Sequence, residues 1–302
     1  MTTRLPTPVL RPVSARVSVA LPFAGGPLFS FLAARAVAGV EAVTRADDAA
    51  LTYRRALRLG NGVGAVAVTW RPGADRLECS FWLGSDDDAA GAMHAVRRLF
   101  DVDADPERID GHLDSDRVLR PLVARRPGLR SPGHPDAAEL VVRAIVGQQV
   151  SVAGARTVLS RLAEQHGEPS AAPVAGVTRL FPSPSALAAL APSDLPMPAV
   201  RGRALIECCR LLATGELVLQ QGGDIAEATR RLQRVPGIGA WTAGYVAMRV
   251  LGDPDVFLPA DVGVRNALHA IGADGSPRAA AVRAMEWQPW RSYAMHHLWA
   301  SL

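Results

Sequence analysis

The turn at residues 235–239 constrains the fold of this chain more than any other stretch. Pro236 cannot continue the helical pattern before it, and Gly237 and Gly239 allow the tight backbone and positive φ of a hairpin. A second helical pattern begins near Ala240. Because the first N–H groups of a helix lack a partner within that helix, its start suits a phosphate oxygen. The turn therefore predicts two helices joined by a hairpin that suits a nucleic-acid backbone.

Arginine supplies the basic character around this turn. The chain has no lysine, its formal net charge is +4, and Arg230, Arg231 and Arg234 precede the turn. Arginine binds phosphate through two parallel hydrogen bonds, so this composition is compatible with a DNA partner. The absence of lysine excludes catalysis through a lysine imine.

A longer motif surrounds the turn. Its first half is Leu-x-x-Val-Pro-Gly-Ile-Gly-x-Trp-Thr-Ala at residues 232–243, and its second half is Phe-Leu-Pro-x-Asp at residues 257–261. This motif resembles the helix-hairpin-helix and the catalytic aspartate of the base-excision DNA glycosylases, the HhH-GPD superfamily. Within that superfamily it is similar to the bacterial DNA-3-methyladenine glycosylase II type. The resemblance covers nearly the whole chain and is strongest over residues 126–299.

Asp261 matches the catalytic aspartate of the superfamily. When a base leaves, positive charge develops on the sugar, and a carboxylate can stabilise that charge and orient the attacking water. The resemblance also implies a monofunctional enzyme, because the position of the lysine in the lyase relatives is Trp241 here. An alternative role for Asp261 is the N-cap of a helix that begins at Val262, and one side chain can fill both roles.

Three aromatic residues match the base pocket of the superfamily: Trp241, Tyr245 and Trp299. Trp241 and Tyr245 are four residues apart and so share a helix face. Stacking on an aromatic ring contributes about 1–3 kcal/mol per base, and electron-rich rings attract cations. The predicted substrates are therefore cationic purines alkylated at N3 or N7, such as 3-methyladenine and 7-methylguanine, in duplex DNA. Each aromatic residue taken alone is equally consistent with core packing.

The resemblance implies DNA contacts from two turns. One is the hairpin, with Pro236, Gly237, Ile238, Gly239 and Thr242. The other contains Gln148 and Gln149 between two predicted helices, and Gln149 matches the side chain that the family inserts into the duplex. The alternative is that both glutamines cap helix ends.

The resemblance also implies one ion. The backbone carbonyls of Gln233, Val235 and Ile238 match those that hold a monovalent cation, Na⁺ or K⁺, against a DNA phosphate. No other cofactor is expected. The adjacent His296 and His297 project from different helix faces and have no carboxylate or cysteine nearby in the sequence, so we do not expect a zinc site.

Two domains are predicted, and the fold class is α+β. Residues 1–108 form a small antiparallel-sheet domain, with strands over 16–21, 51–59, 63–70 and 77–83 and helices over 28–38 and 88–100. The sequence indicates no site residues in this domain. Residues 109–302 form a mostly α-helical HhH-GPD glycosylase core, in which strand signals nearly vanish. Its predicted helices span Asp114–Arg125, Ala137–Val146, Val152–His166, Pro184–Leu190, Val200–Thr214, Asp224–Arg234, Ala240–Leu251, Val262–Ile271, Arg278–Glu286 and Trp290–Ser301.

Location and partners follow from the same patterns. No apolar run reaches membrane-spanning length, and Pro6, Pro8 and Pro12 interrupt the apolar stretches that a signal peptide would need. We expect a cytoplasmic, nucleoid-associated monomer that binds damaged double-stranded DNA. Two other functions stay open: a glycosylase for deaminated or oxidised bases, and a non-catalytic module that binds DNA lesions.

Overall fold

A five-stranded antiparallel sheet forms the base of the N-terminal domain. The structure, a computed structural model, describes residue 10 and residues 12–302, so the predicted breaks at Pro6 and Pro8 lie outside the described residues. The strands lie in the spatial order β1-β5-β4-β3-β2. Their bounds are β1 Val13–Ser18, β2 Glu41–Arg45, β3 Leu51–Arg58, β4 Val63–Trp70 and β5 Arg76–Leu83.

Two helices pack on this sheet. Leu28 of α1 (Gly25–Arg35) and Leu99 of α2 (Ala89–Leu99) share a buried apolar cluster with Val66 of β4. Burial of one apolar sheet face against helices is the packing that the α+β prediction requires. The predicted fold class is therefore confirmed.

Two strands differ from the sequence prediction. β1 begins and ends three residues earlier, because its residues pair with Arg76–Phe81 of β5 before the chain turns toward α1. β2 is absent from the prediction because charged Glu41 interrupts a short apolar pattern. Glu41 is nevertheless buried, since Arg143 pairs with it.

Helices dominate the rest of the chain. A π-helical turn over Ala247–Leu251 continues one of them, α10. None of the helices in the described part of the chain combines the length and apolarity that a membrane crossing needs. The helices are α3 Pro106–Leu113, α4 Arg120–Arg125, α5 Ala137–Val146, α6 Val152–His166, α7 Pro184–Ala188, α8 Ala199–Ala213, α9 Ile225–Gln233, α10 Ala240–Val246, α11 Val262–Ala270, α12 Pro277–Arg283 and α13 Arg291–Ala300.

The helical predictions hold for α5 and α6 at both ends, and α4 is the largest exception. It is shorter than predicted because the Asp116 carboxylate accepts the N–H groups of Val118 and Leu119 and holds the preceding residues in a turn. α3 is absent from the prediction and includes the predicted domain boundary at residues 108–109.

A short hairpin also interrupts the helical region and is missing from the predicted elements. It consists of β6 (Pro169–Val174) and β7 (Val177–Arg179). Ala172 of β6 packs with Ala56 and Ala65 of the N-terminal sheet. Alanine and proline give a weak strand signal, so contact with the other domain decides this hairpin.

A buried ion network joins the two domains. Arg55 of β3 pairs with Glu139 of α5 at 2.6 Å. Arg143 of α5 donates to Glu139 at 2.8 Å and also pairs with Glu41 of β2, whose carboxylate accepts the Tyr53 hydroxyl. Burial alone would raise the pKa of the Glu139 carboxyl, but Arg55 and Arg143 outweigh burial and hold this pKa well below its usual range. We call these five residues the junction network.

Candidate active site

Asp261 precedes α11 and accepts three hydrogen bonds. Its Oδ1 accepts the backbone N–H of Val264 and the indole N–H of Trp299, both at 2.9 Å. Its Oδ2 accepts the indole N–H of Trp241 at 2.9 Å. Asp261 therefore is an N-cap, and the same bonds hold its carboxylate between two aromatic residues.

The predicted aromatic residues surround this carboxylate. Trp241 and Tyr245 stack in parallel with ring centroids 5.3 Å apart, and Tyr245 meets Trp299 edge-on at 6.3 Å. Trp299 can approach Asp261 because position 263 is glycine: a Cβ on Gly263 would lie 2.9 Å from the Cδ1 of Trp299. The structure thus brings the predicted carboxylate and all three predicted aromatic residues into one cluster.

The N-terminal domain adds a fourth ring to this cluster, although the sequence pattern alone indicates no site residue there. Phe31 of α1 lies nearly parallel to Trp299, with an interplanar angle of 22° and centroids 6.5 Å apart. The Arg35 guanidinium lies 3.8 Å from the centroid of the Phe31 ring. We call Phe31, Trp241, Tyr245 and Trp299 the aromatic pocket. One of its walls comes from the first domain.

The π-helical turn after α10 brings Arg249 to this pocket. Arg249 Nη1 donates to the Tyr245 hydroxyl at 2.8 Å, and its Nη2 donates to the carbonyl of Gly133 at 3.1 Å. Burial alone would raise the pKa of the Tyr245 hydroxyl, but Arg249 and Arg35 outweigh burial and lower it. π-Helical turns are frequent at functional sites. The sequence pattern predicts an unbroken helix here, so it misses this feature.

The hairpin lies between α9 and α10, as predicted. Gly237 has a φ of +96°, which residues with a Cβ rarely adopt. The Gln148 amide donates to the carbonyl of Gly237 at 3.1 Å and to the Thr242 hydroxyl at 2.9 Å. Gln148 therefore connects the two turns for which DNA contacts are predicted.

Gln149 lies at the tip of the turn between α5 and α6. Its side chain is exposed and its φ is +57°. Gly147 ends α5, and the Ser151 hydroxyl caps α6 by accepting the N–H of Gly154, so the glutamine-cap alternative is wrong. The insertion of Gln149 into a duplex stays a prediction.

The three carbonyls that match a cation site lie along the same hairpin. The carbonyl of Val235 accepts the N–H of Ile238 at 3.0 Å, which leaves it a second lone pair. Among the described residues, no backbone N–H outside their helix donates to the carbonyls of Gln233 and Ile238. Oxygen atoms with free lone pairs are chemically suited to a small monovalent cation.

Two segments of the chain match known protein families. Residues 142–292 match the HhH-GPD superfamily of base excision DNA repair proteins, and residues 14–136 match the AlkA N-terminal domain. The chain is 38% identical over 283 residues to the DNA-3-methyladenine glycosylase 2 of Escherichia coli K12. This match covers 90% of this chain and 92% of that protein. This chain belongs to the HhH-GPD superfamily.

Two further proteins extend the comparison. The chain is 42% identical over 290 residues to a probable bifunctional transcriptional activator/DNA repair enzyme AlkA of Mycobacterium tuberculosis. The match covers 96% of this chain but 57% of that relative, so the chain spans a little over half its length. The solved 3-methyladenine DNA-glycosylase of Archaeoglobus fulgidus superposes with a TM-score of 0.79 at 21% identity, over 94% of this chain and 97% of that one. This likeness concerns the fold.

Two features of this HhH-GPD site are recognisable in the amino-acid sequence. Phe31 and Arg35 are four residues apart on a helix, so they share one face. Gly263 stands two residues after Asp261, inside the first turn of a helix, where glycine is unfavourable unless something approaches closely. Neither signal identifies the partner, since the pocket forms only when α1 and α13 meet.

Proposed function

We propose that this HhH-GPD protein is a monofunctional DNA glycosylase. It hydrolyses the N-glycosidic bond of alkylated, cationic purines such as 3-methyladenine and 7-methylguanine in duplex DNA and leaves an abasic site. The observation that carries this proposal is the Asp261 carboxylate, held by two indole N–H groups beside four aromatic rings. The names of the relatives, DNA-3-methyladenine glycosylase 2 among them, support it.

Access to the bond requires that the nucleotide leave the helix. Unstacking and unpairing cost a few kcal/mol, and stacking in the aromatic pocket offsets part of that cost. A base alkylated at N3 or N7 carries positive charge, which electron-rich rings favour. Such a base departs as a neutral molecule, so it needs no second acid.

Asp261 then acts on the sugar. Its carboxylate stabilises the positive charge that develops as the base leaves, and it orients or deprotonates the attacking water. The N-cap bond from Val264 and the two indole bonds fix the carboxylate before substrate binds. With no lysine in the chain, no lysine imine forms and the strand is not cut by that route.

Damaged double-stranded DNA is the partner in this proposal. The N–H groups at the start of α10 and the hairpin residues contact a phosphate, and Gln149 fills the space that the flipped base leaves. A monovalent cation on the carbonyls of Gln233, Val235 and Ile238 would add positive charge beside that phosphate. The protein acts as a monomer on DNA in the cytoplasm.

The test separates the catalytic role of Asp261 from its capping role. Asparagine is a good N-cap but has no charge, so Asp261→Asn preserves the start of α11 and removes the carboxylate. We expect release of 3-methyladenine and 7-methylguanine from methylated duplex DNA to fall about 10²–10³-fold, with DNA binding retained.

Asp224→Asn is the matched control. Asp224 caps α9 by accepting the N–H of Glu227 and lies outside the aromatic pocket. This variant should release both bases at the wild-type rate. Wild-type turnover by Asp261→Asn would refute the proposal, and tight lesion binding by the wild type without any freed base would indicate a non-catalytic module.

A further inference from the structure

His296 stands at one end of the aromatic pocket. It precedes Trp299 by three residues on α13 and is 4% exposed. Its ring centroid lies 5.2 Å from that of Phe31 and 5.0 Å from that of Trp299, at interplanar angles of 64° and 85°. Because Phe31 and Trp299 are nearly parallel, the imidazole lies across the space between the edges of these two rings.

Two buried nitrogen atoms at this end of the aromatic pocket lack a hydrogen-bond partner within the described chain. Nε2 of His296 is buried and has no hydrogen-bond partner there, and neither has Nε of Arg249. The Arg249 guanidinium lies 4.9 Å from the centroid of the same Phe31 ring. Buried polar atoms are normally paired, so two unpaired nitrogens beside one ring indicate that a bound molecule supplies their partners.

The chemistry of His296 is that of a neutral imidazole. Burial holds its pKa well below the usual range, and the positive charges of Arg249 and Arg35 lower it further. A neutral imidazole offers one N–H donor and one acceptor nitrogen. Among the described residues no group of three or more histidine, cysteine, aspartate or glutamate side chains is placed to hold a metal ion. A neutral imidazole at this position can form a hydrogen bond with a bound base.

We propose that His296 is a specificity-determining residue that forms a hydrogen bond with the edge of the flipped purine. This inference rests on the proposed function. A purine that stacks against this pair of rings from the open side of the cluster presents one edge toward the imidazole. A base with a keto or amino group at position 6 satisfies Nε2, and the same ring without that group leaves it unpaired. The site then prefers 6-substituted purines over the unsubstituted ring.

The experiment uses two bases that differ at position 6. Single-turnover excision is measured on duplexes that contain one cationic 7-methylhypoxanthine or one cationic 7-methylpurine, with wild type, His296→Leu and His296→Gln. We expect the wild type to prefer 7-methylhypoxanthine about tenfold, the size of one neutral hydrogen bond. His296→Leu should lose this preference, and His296→Gln, which keeps a donor and an acceptor, should retain most of it.

The ratio of the two rates is the readout, because a partly unfolded variant loses both rates by the same factor. An unchanged ratio in His296→Leu overturns the inference, and so does a wild type that shows no preference or excises neither base. Release of 7-methylguanine from methylated DNA, measured in parallel, tests the proposed function separately. A wild type that releases 7-methylguanine but ignores position 6 refutes only the role of His296.

Discussion

Two clusters of buried polar side chains contact α1, and they differ in how completely they are paired. In the junction network, Glu139 and Glu41 take up the charges of Arg55 and Arg143. Beside the aromatic pocket, by contrast, nitrogen atoms of His296 and Arg249 have no partner in the described chain. The paired network serves as a structural contact between the domains, whereas the unpaired nitrogens of His296 and Arg249 lie beside the rings that the proposed function assigns to a ligand.

The junction network also helps to position the aromatic pocket. Arg143 Nη1 donates to the carbonyl of Arg35 at 2.9 Å, and the Ser160 hydroxyl accepts the N–H of Ala38 at 3.1 Å. These bonds hold the end of α1, and therefore Phe31, against the helical domain. Removing a junction charge should affect folding, whereas removing a pocket group should affect catalysis.

The largest effect on stability should come from Glu139→Gln. This variant leaves Arg55 and Arg143 buried with one carboxylate fewer, and loss of one partner of a buried ion pair costs about 3–5 kcal/mol. Urea unfolding at pH 7 measures the free energy of unfolding. Glu207→Gln is the control, because its pair with Arg210 is exposed and should leave the midpoint unchanged. Equal effects of the two changes would contradict the structural role of the network.

The adjacent histidines of α13 should make stability depend on pH. Burial, with a further contribution from Arg126, lowers the pKa of His297 from 6.5 to about 4. The unfolded chain therefore binds a proton that the folded chain does not, and stability falls as the pH drops from about 6.5 to about 4. The slope is about 1.4 kcal/mol per pH unit for each such group.

The contribution of His297 is measured as the difference in unfolding free energy between wild type and His297→Leu. Buried Asp101, whose pKa is raised to about 6, acts in the opposite direction over part of this range. The gap in unfolding free energy between wild type and His297→Leu should narrow as the pH falls from 6.5 to 4. A gap that is constant with pH would show that His297 does not titrate differently in the two states.

The smallest of the three effects should come from Phe31→Leu. It removes one stacking surface, worth about 1–3 kcal/mol per base, and should slow single-turnover excision of alkylated purines about tenfold with little change in stability. Phe257→Leu is the control, since Phe257 packs edge-on against Trp287 outside the pocket. Excision by Phe31→Leu at the wild-type rate would show that the N-terminal domain does not contribute to base binding.

Local patterns predict most of the helices and the core of the site. The hairpin is encoded by adjacent residues, Pro236 to Gly239, and the pair Trp241 and Tyr245 by helical spacing, so both can be read from the chain. The carboxylate of Asp261 joins them through the resemblance, and the structure places it within 2.9 Å of both predicted indole nitrogens.

The features that the sequence does not predict depend on contacts between distant segments. Phe31 reaches Trp299 across the domain junction, and Glu41 is buried only because Arg143 arrives from another domain. The hairpin of β6 and β7 likewise requires the N-terminal sheet beneath it. Periodicity along one segment carries no information about the partner that a fold brings to it.

The bonds from Gln148 to the hairpin fix the relative position of two turns. The side-chain amide ties the tip that bears Gln149 to the carbonyl of Gly237 and the hydroxyl of Thr242. The tip that bears Gln149 and the hairpin therefore keep a fixed spacing. Under the proposed function, this rigid spacing means that the duplex, and not the protein, has to yield before Gln149 enters at a weakened base pair.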